Sequence, residues 1–495
     1  MLKKSSLTAI LVVLIAILVL TTVVNGLAGG TWQSGIKIQN LDPSNPANLS
    51  VSLYGSSGGS PIHEITQTSG GSPLTAQPNK SVEVYLPAFS GVTAGQYSAV
   101  VSSDRNVGAV VTTTNYPYGM ADSYNSMVPS TSVFVPYVYR NHNNWSTEIF
   151  VQNTTGANVT GNIVFTEPST SVSYSDSGLH TKTVPLNLLP YGTQSFDTLT
   201  STYNDMGWFI GSATIQSDGP VAVMANQTRL VGNGDLQGNV LISARGLASN
   251  DAGTKILLPS LYNNFSGVSG TWRSGIKIVN PSSSSTANIT VEFKSDPGMP
   301  SFSGTKTLHI SAGGNEELYL PGTTLDTPAG PMPNQFKGYA IINSDVPVVA
   351  TVQHTNYEGA SGYGVAVGYA GFSSGSRNIS LPSLYHWPSG AGVWISGIKV
   401  QNYGTTNATF TITYSADPDS VSSLNGTKSN VTLTPNQAIE YYFGSPVLDG
   451  NGSIPSGWKG SAFIQGSEGA QLVATVIHTN YGRHVATMYT GVPIP

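Results

Sequence analysis

A nine-residue phrase is written four times along the chain: WQSGIKIQN from Trp32, WSTEIFVQN from Trp145, WRSGIKIVN from Trp272 and WISGIKVQN from Trp394. The intervals of 113, 127 and 122 residues are domain-sized, much too long for a solenoid repeat or a propeller blade. A second phrase follows each first one, as in GQYSAVVSSDRNVGAVVTTTNY and FKGYAIINSDVPVVATVQHTNY. A third, VFVPYVYRN, ILLPSLYNN and ISLPSLYHW, stands only before the second, third and fourth copies. Four repeats thus share three linking segments.

Both main phrases read as strands. In WRSGIKIVN, Trp272, Ser274, Ile276 and Ile278 share one parity while Arg273, Lys277 and Val279 share the other, so the Trp/Ile side is predicted to face a core. The second phrase predicts a hairpin, GYAIIN and VVATVQHT about an SDVP turn containing Asp345 and Pro347. No helical periodicity follows the amino terminus. The predicted fold is all-β: four tandem β-sandwich modules of seven to nine strands with immunoglobulin-like topology, at residues 29–131, 132–254, 255–377 and 378–495, after a hydrophobic segment at 1–28.

That segment places Lys3 and Lys4 before an apolar or Thr-containing stretch from Leu7 to Val24, the pattern of an export signal. Small residues predict cleavage after Gly26 or Ala28. An uncleaved signal anchor is the alternative, since eighteen helical residues span about 27 Å. Membrane contact is expected only through this segment, and the localisation is extracellular, at the cell surface.

Charged residues make up 9% of the chain, against roughly 25% in ordinary soluble domains, and the net charge is −5. No basic run is present to neutralise a phosphate backbone, so nucleic acid is not an expected partner. Without cysteine there is no disulfide framework and no thiolate zinc site. The tandem arrangement resembles the modular surface proteins of bacteria and archaea, including surface-layer and filament-forming proteins with immunoglobulin-like repeats. The resemblance implies a structural role and carries no functional residue with it.

The repeats act as an internal control on chemistry. His354 and His478 stand at equivalent places where Thr113 and Gln227 occupy the other repeats, which argues for strand histidines. Gly55-x-Ser57-x-Gly59 and Gly371-x-Ser373-x-Gly375 match a nucleophile elbow but lack the helix it needs. Asp417 and Asp419, with Asp296 matching in the third repeat, read as turn residues, short of the oxygens calcium requires. No catalytic residue, metal ligand or cofactor is predicted. Glycosylation triplets occur at Asn48, Asn79, Asn144, Asn153, Asn158, Asn226, Asn264, Asn288, Asn378, Asn407, Asn425, Asn430 and Asn451. Four of these, Asn48, Asn158, Asn288 and Asn407, fall 13 to 16 residues after the landmark Trp. Tyr385 and Trp387, at a repeat junction, are the candidate ligand-contact aromatics.

Two functions follow. One is a non-enzymatic structural protein of the surface that self-associates into a stalk, filament or layer. Repeat 1 lacks a linking strand and the chain stops at GVPIP, where another is expected to begin, so one copy's end is predicted to complete another's sheet. The alternative is an adhesin or carbohydrate binder. A homo-oligomer or homopolymer, or a cell-surface or glycan partner, is expected accordingly.

Overall fold

The computed structural model describes residues 13–20, 31–168, 181–230, 239–267, 270–356, 364–389, 392–480 and 482–494. Their regular secondary structure is almost entirely β-strand, with a few short 3-10 turns. The expected cleavage sites, Gly26 and Ala28, lie outside the described residues.

Each repeat contributes two sheets. In repeat 3 the linking strand Gly253–Asn263, the first half of Phe336–Asn356, Ala287–Ser295 and Ser303–Ile310 form one. The phrase strand Gly270–Val279 lies in the other, between Asn315–Tyr319 and the second half of Phe336–Asn356, and Val365–Ala370 closes its far edge. Repeats 1, 2 and 4 follow the same order.

Two expectations are corrected by this pairing. The second phrase is not a hairpin, because its halves pair with different strands and never with each other. In repeats 2 and 3 it is one 21-residue strand, Phe209–Arg229 and Phe336–Asn356, that crosses from one sheet to the other. The SDVP segment makes a corner in it. There Asp345 accepts from the backbone N–H of Asn288 at 2.8 Å, and Asp104 and Asp218 do the same for Asn48 and Thr160. The strand order is also not immunoglobulin-like. In that fold the first two strands run side by side in one sheet, whereas here the linking and phrase strands meet only in a short ribbon, as at Trp387 and Trp394, and then part into opposite sheets.

The repeats are not beads on a string. The outer-edge strands Met120–Asn125, Val240–Arg245, Val365–Ala370 and Val485–Thr490, one per repeat, pack together in the cyclic order 1–2–3–4–1 around a central axis. Asp122 lies buried there, accepting from the N–H groups of Ser243 at 2.5 Å and Met488 at 3.2 Å, so one carboxylate ties three repeats. Burial pushes its pKa well above the ordinary carboxylate range.

This ring explains the phrase. Its isoleucines fill the core of their own repeat, as Ile276 and Ile278 do. The Trp reaches past that core to the axial strand of the next repeat: Trp32 clusters with Leu241, Trp145 with Ala366, Trp272 with Ala486 and Trp394 with Ala121. The opposite parity, predicted to face outward, is buried too, because it packs on the preceding repeat: Lys37, Lys277 and Lys399 are all under 5% exposed. Even the Gly has a reason, since a Cβ on Gly275 would sit 2.6 Å from Tyr137 Oη of repeat 2.

The chain ends are also placed. Val492–Ile494 pairs with Asn378–Ser380 of its own repeat, where Leu247–Ala248 and Phe372 pair in repeats 2 and 3, so GVPIP closes repeat 4 and begins no new linking strand. The first linking position is filled by the amino-terminal apolar segment, whose strand Val13–Leu20 pairs antiparallel with Gln96–Ser103.

Candidate functional site: the clefts between repeats

The two repeat-matched histidines and the acids Asp417 and Asp296 are engaged by the fold, whereas Ser57 is exposed and Ser373 half-buried. His354 and His478, 0% and 1% exposed, pair through Nδ1 with the phrase serines Ser274 and Ser396, each at 2.8 Å, where Ser34 and Thr113 pair in repeat 1. Burial, with a nearby Lys399 or Lys37, lowers each imidazole pKa to about 3, so both rings stay neutral. Asp417 is no turn cap by side chain. It forms a buried ion pair with Lys37 across the seam between repeats 4 and 1 and accepts from Ser81 Oγ at 2.7 Å. Asp296 does the same for Lys399, at 2.6 Å, across the seam between repeats 3 and 4. Among the described residues no group of three or more His, Cys, Asp or Glu is placed to hold a metal.

The glycosylation triplets divide by burial. Asn48, Asn144, Asn158, Asn288, Asn407, Asn425, Asn430 and Asn451 are exposed, and Asn79, Asn264 and Asn378 half-buried. Asn153 and Asn226, at 0% and 1%, are enclosed. Asn153 is the last residue of its phrase, and with Asn40, Asn280 and Asn402 it caps the following loop. Its Nδ2 donates to the carbonyls of Ala157 and Leu189, and its Oδ1 accepts from the N–H of Thr155. The four landmark-spaced acceptors fall into two pairs. Asn48 and Asn288 sit on a strand with Nδ2 donating to Asp104 and Asp345, whereas Asn158 and Asn407 lie two positions earlier, in the preceding loop.

Tyr385 and Trp387 come together at the seam between repeats 4 and 1, in a cavity of about 550 Å³ that also takes in Trp394 and, from repeat 1, Tyr85, Phe89 and Tyr116. Lys459 Nζ crosses the seam within it, 3.3 Å from Glu83 and 2.5 Å from Asp419, and lies 5.3 Å from the centre of the Trp387 ring. Trp394 Nε1 donates to Tyr116 Oη at 3.2 Å. The same construction returns between repeats 2 and 3: a cavity of about 580 Å³ places Tyr139, Trp145, Glu317 and Tyr319 where Tyr385, Trp394, Glu83 and Tyr85 stand in the first. Sequence reasoning missed the repeat 1 wall of the seam cleft, because nothing in one strand's pattern tells which distant repeat it faces. The matched Asp296 and Asp417, each one repeat behind a Lys in the cyclic order, were the available signal.

No protein-family model matches the chain, and no curated protein matches it in sequence. Among solved structures, Thermotoga maritima 1070 aligns at 19% identity over 25% of this chain and 95% of its own, with a TM-score of 0.20. The major pilin of Streptococcus pyogenes aligns at 11% over 63% and 98%, TM-score 0.13. The BSP domain of a biofilm-associated protein aligns at 9% over 97% and 96%, TM-score 0.17.

Proposed function

We propose that this is an exported, non-enzymatic protein of the cell surface whose four repeats form one rigid body that presents binding clefts, an adhesive unit in the structural fabric outside the cell. The carrying observation is the fate of the repeated phrase. Two of its lysines and its closing asparagines go into inter-repeat ion pairs and loop caps, while Trp145 and Trp394 stand at the walls of two equivalent clefts lined by further aromatic side chains. The lysine-led apolar amino terminus and the exposed glycosylation triplets favour an extracellular address, with sugars supplying the solubility that 9% charge does not. The test is on intact cells of the native host. External protease should remove the protein while cytoplasmic markers survive, and intact-mass analysis should exceed the bare polypeptide mass; a protease-inaccessible chain of bare mass overturns the reading.

A second reading, self-association, rests on the Val13–Leu20 strand. Cleavage after Gly26 or Ala28 would strip that strand from Gln96–Ser103 and open an edge that another copy can fill. Because Val492–Ile494 is engaged in its own repeat, the donor has to come from elsewhere in the chain. Light scattering on protein beginning at Gly29 decides it: concentration-dependent growth supports assembly, and a monomer at high concentration removes it.

A further inference from the structure

The cleft at the seam between repeats 4 and 1 is built to receive an uncharged sugar, and we infer that it is a saccharide site of one or two rings. The inference rests on the surface-binding reading above and names its ligand.

Three features carry it. The cavity of about 550 Å³ lies within the range of small-molecule sites, about 300–1,000 Å³. Its accessible aromatic faces come from both sides of the seam, Trp387 from repeat 4 and Tyr85 from repeat 1, with Tyr85 39% exposed, while the Tyr116 ring beside them is covered by the Arg483 guanidinium, 4.2 Å from its centre. An aromatic ring left facing water offers a flat apolar surface to the C–H face of a pyranose. Charge then selects against anions. The single ammonium of Lys459 is already held between two carboxylates, Glu83 and Asp419, so these three groups carry a net negative charge and a sugar acid finds no uncompensated cation among them. The same groups still offer what hydroxyls need: Asp419, 68% exposed at its side chain, keeps free acceptor capacity, and Gln33 and Thr114 add amide and hydroxyl groups on the repeat 1 wall. The location adds a consequence. Repeats 1 and 4 are distant in sequence, and a ligand between them ties the ring where no peptide linker does, so binding should raise the unfolding temperature.

The experiment is a thermal-shift titration and calorimetry on the full chain with cellobiose, maltose, lactose and N,N′-diacetylchitobiose, alongside a uronate-containing disaccharide. The expected result is a saturable rise in Tm with at least one neutral disaccharide. Trp387→Ala and Asp419→Asn should each weaken it about ten-fold or more, while Leu189→Ala, at an exposed position of repeat 2 outside both clefts, leaves it unchanged. Asp419→Asn, at an exposed position, keeps the test alive should Trp387→Ala fold poorly. No shift with any neutral disaccharide, equal binding by both substituted proteins, or preference for the charged sugar each overturns the inference. Because the readout is purified protein and soluble sugar, failure here leaves the surface location standing.

Discussion

At the scale of single residues, the ring is held by lysines that a strand pattern puts outside. Lys37–Asp417 and Lys399–Asp296 are buried pairs, and their equivalents elsewhere are instructive. At the seam between repeats 1 and 2 the lysine position holds Phe150, packed into the core of repeat 1, and the acid position holds Ser56. Removing one partner strands a buried charge, so Asp417→Asn should cost about 3–5 kcal/mol in urea unfolding. Lys37→Phe with Asp417→Ser, which copies the first seam, should recover most of it; equal loss in both proteins would show that the pair is not the cause. Lys277 is the exception, since Pro168 stands where its acid is expected, and its Nζ has no hydrogen-bond partner. Burial lowers its pKa to about 8. Against an unfolded value near 10.4, that penalises the charged, folded form at pH 7 by on the order of 3 kcal/mol. Glu317, buried and facing it, would be stranded if the lysine went alone, so it is Lys277→Met together with Glu317→Gln that should stabilise the protein, by on the order of 1–3 kcal/mol. The buried histidines set an acid limit. Below pH ~6.5 the unfolded chain protonates imidazoles that the folded chain, at about 3, keeps neutral, so their contribution to stability falls as pH drops from about 6.5 toward 3 and is constant above ~6.5. Each ring contributes about 1.4 kcal/mol per pH unit, and His354→Gln, which copies Gln227 of repeat 2, should remove one proton's share of that slope.

At the scale of elements, period-two alternation located the phrase strand and the Ile face of its core correctly, because one side of any sandwich strand must be apolar. It misjudged the other face for a physical reason. A lysine whose charge is met by an aspartate from another repeat looks, in one strand, the same as a lysine in water. The crossing strand failed likewise: Asp and Pro in SDVP signal a reversal locally, but whether the chain turns back or turns a corner depends on which sheet the next strand joins. The Asn ending each phrase was legible only as a recurrence, and its work as a loop cap explains why Asn153 carries an acceptor triplet by coincidence. Site mapping of protein from the native host should find Asn153 and Asn226 bare, with sugars confined to exposed positions such as Asn158 and Asn407. Occupancy at Asn153 would mean modification before this loop folds, and would contradict the cap as drawn.

At the scale of the whole molecule, four repeats in series are compatible with a rod or a ring, and composition does not choose between them. The seams choose. Repeat 4 gives Asp417 to Lys37, Met488 to Asp122 and the strand end at Thr490 to Asn125, so the last repeat completes the first. A rod would have no use for these contacts, and its repeats would unfold nearly independently, each losing only a neighbour. A ring has no terminal repeat, so removing one damages two others. The chain ending at residue 377 should accordingly lose more than its fourth repeat: Lys37 is left buried without its acid, Val110 and Ala121 of repeat 1 are bared, and the melting temperature of what remains should fall, with a broader transition. Small-angle scattering gives the geometric counterpart, since a compact body of this length has a radius of gyration of ~23 Å, far below that of four sandwiches in line. An extended profile for the full chain, together with an unchanged melt after removal of repeat 4, would return the molecule to a string and take the seam cleft with it.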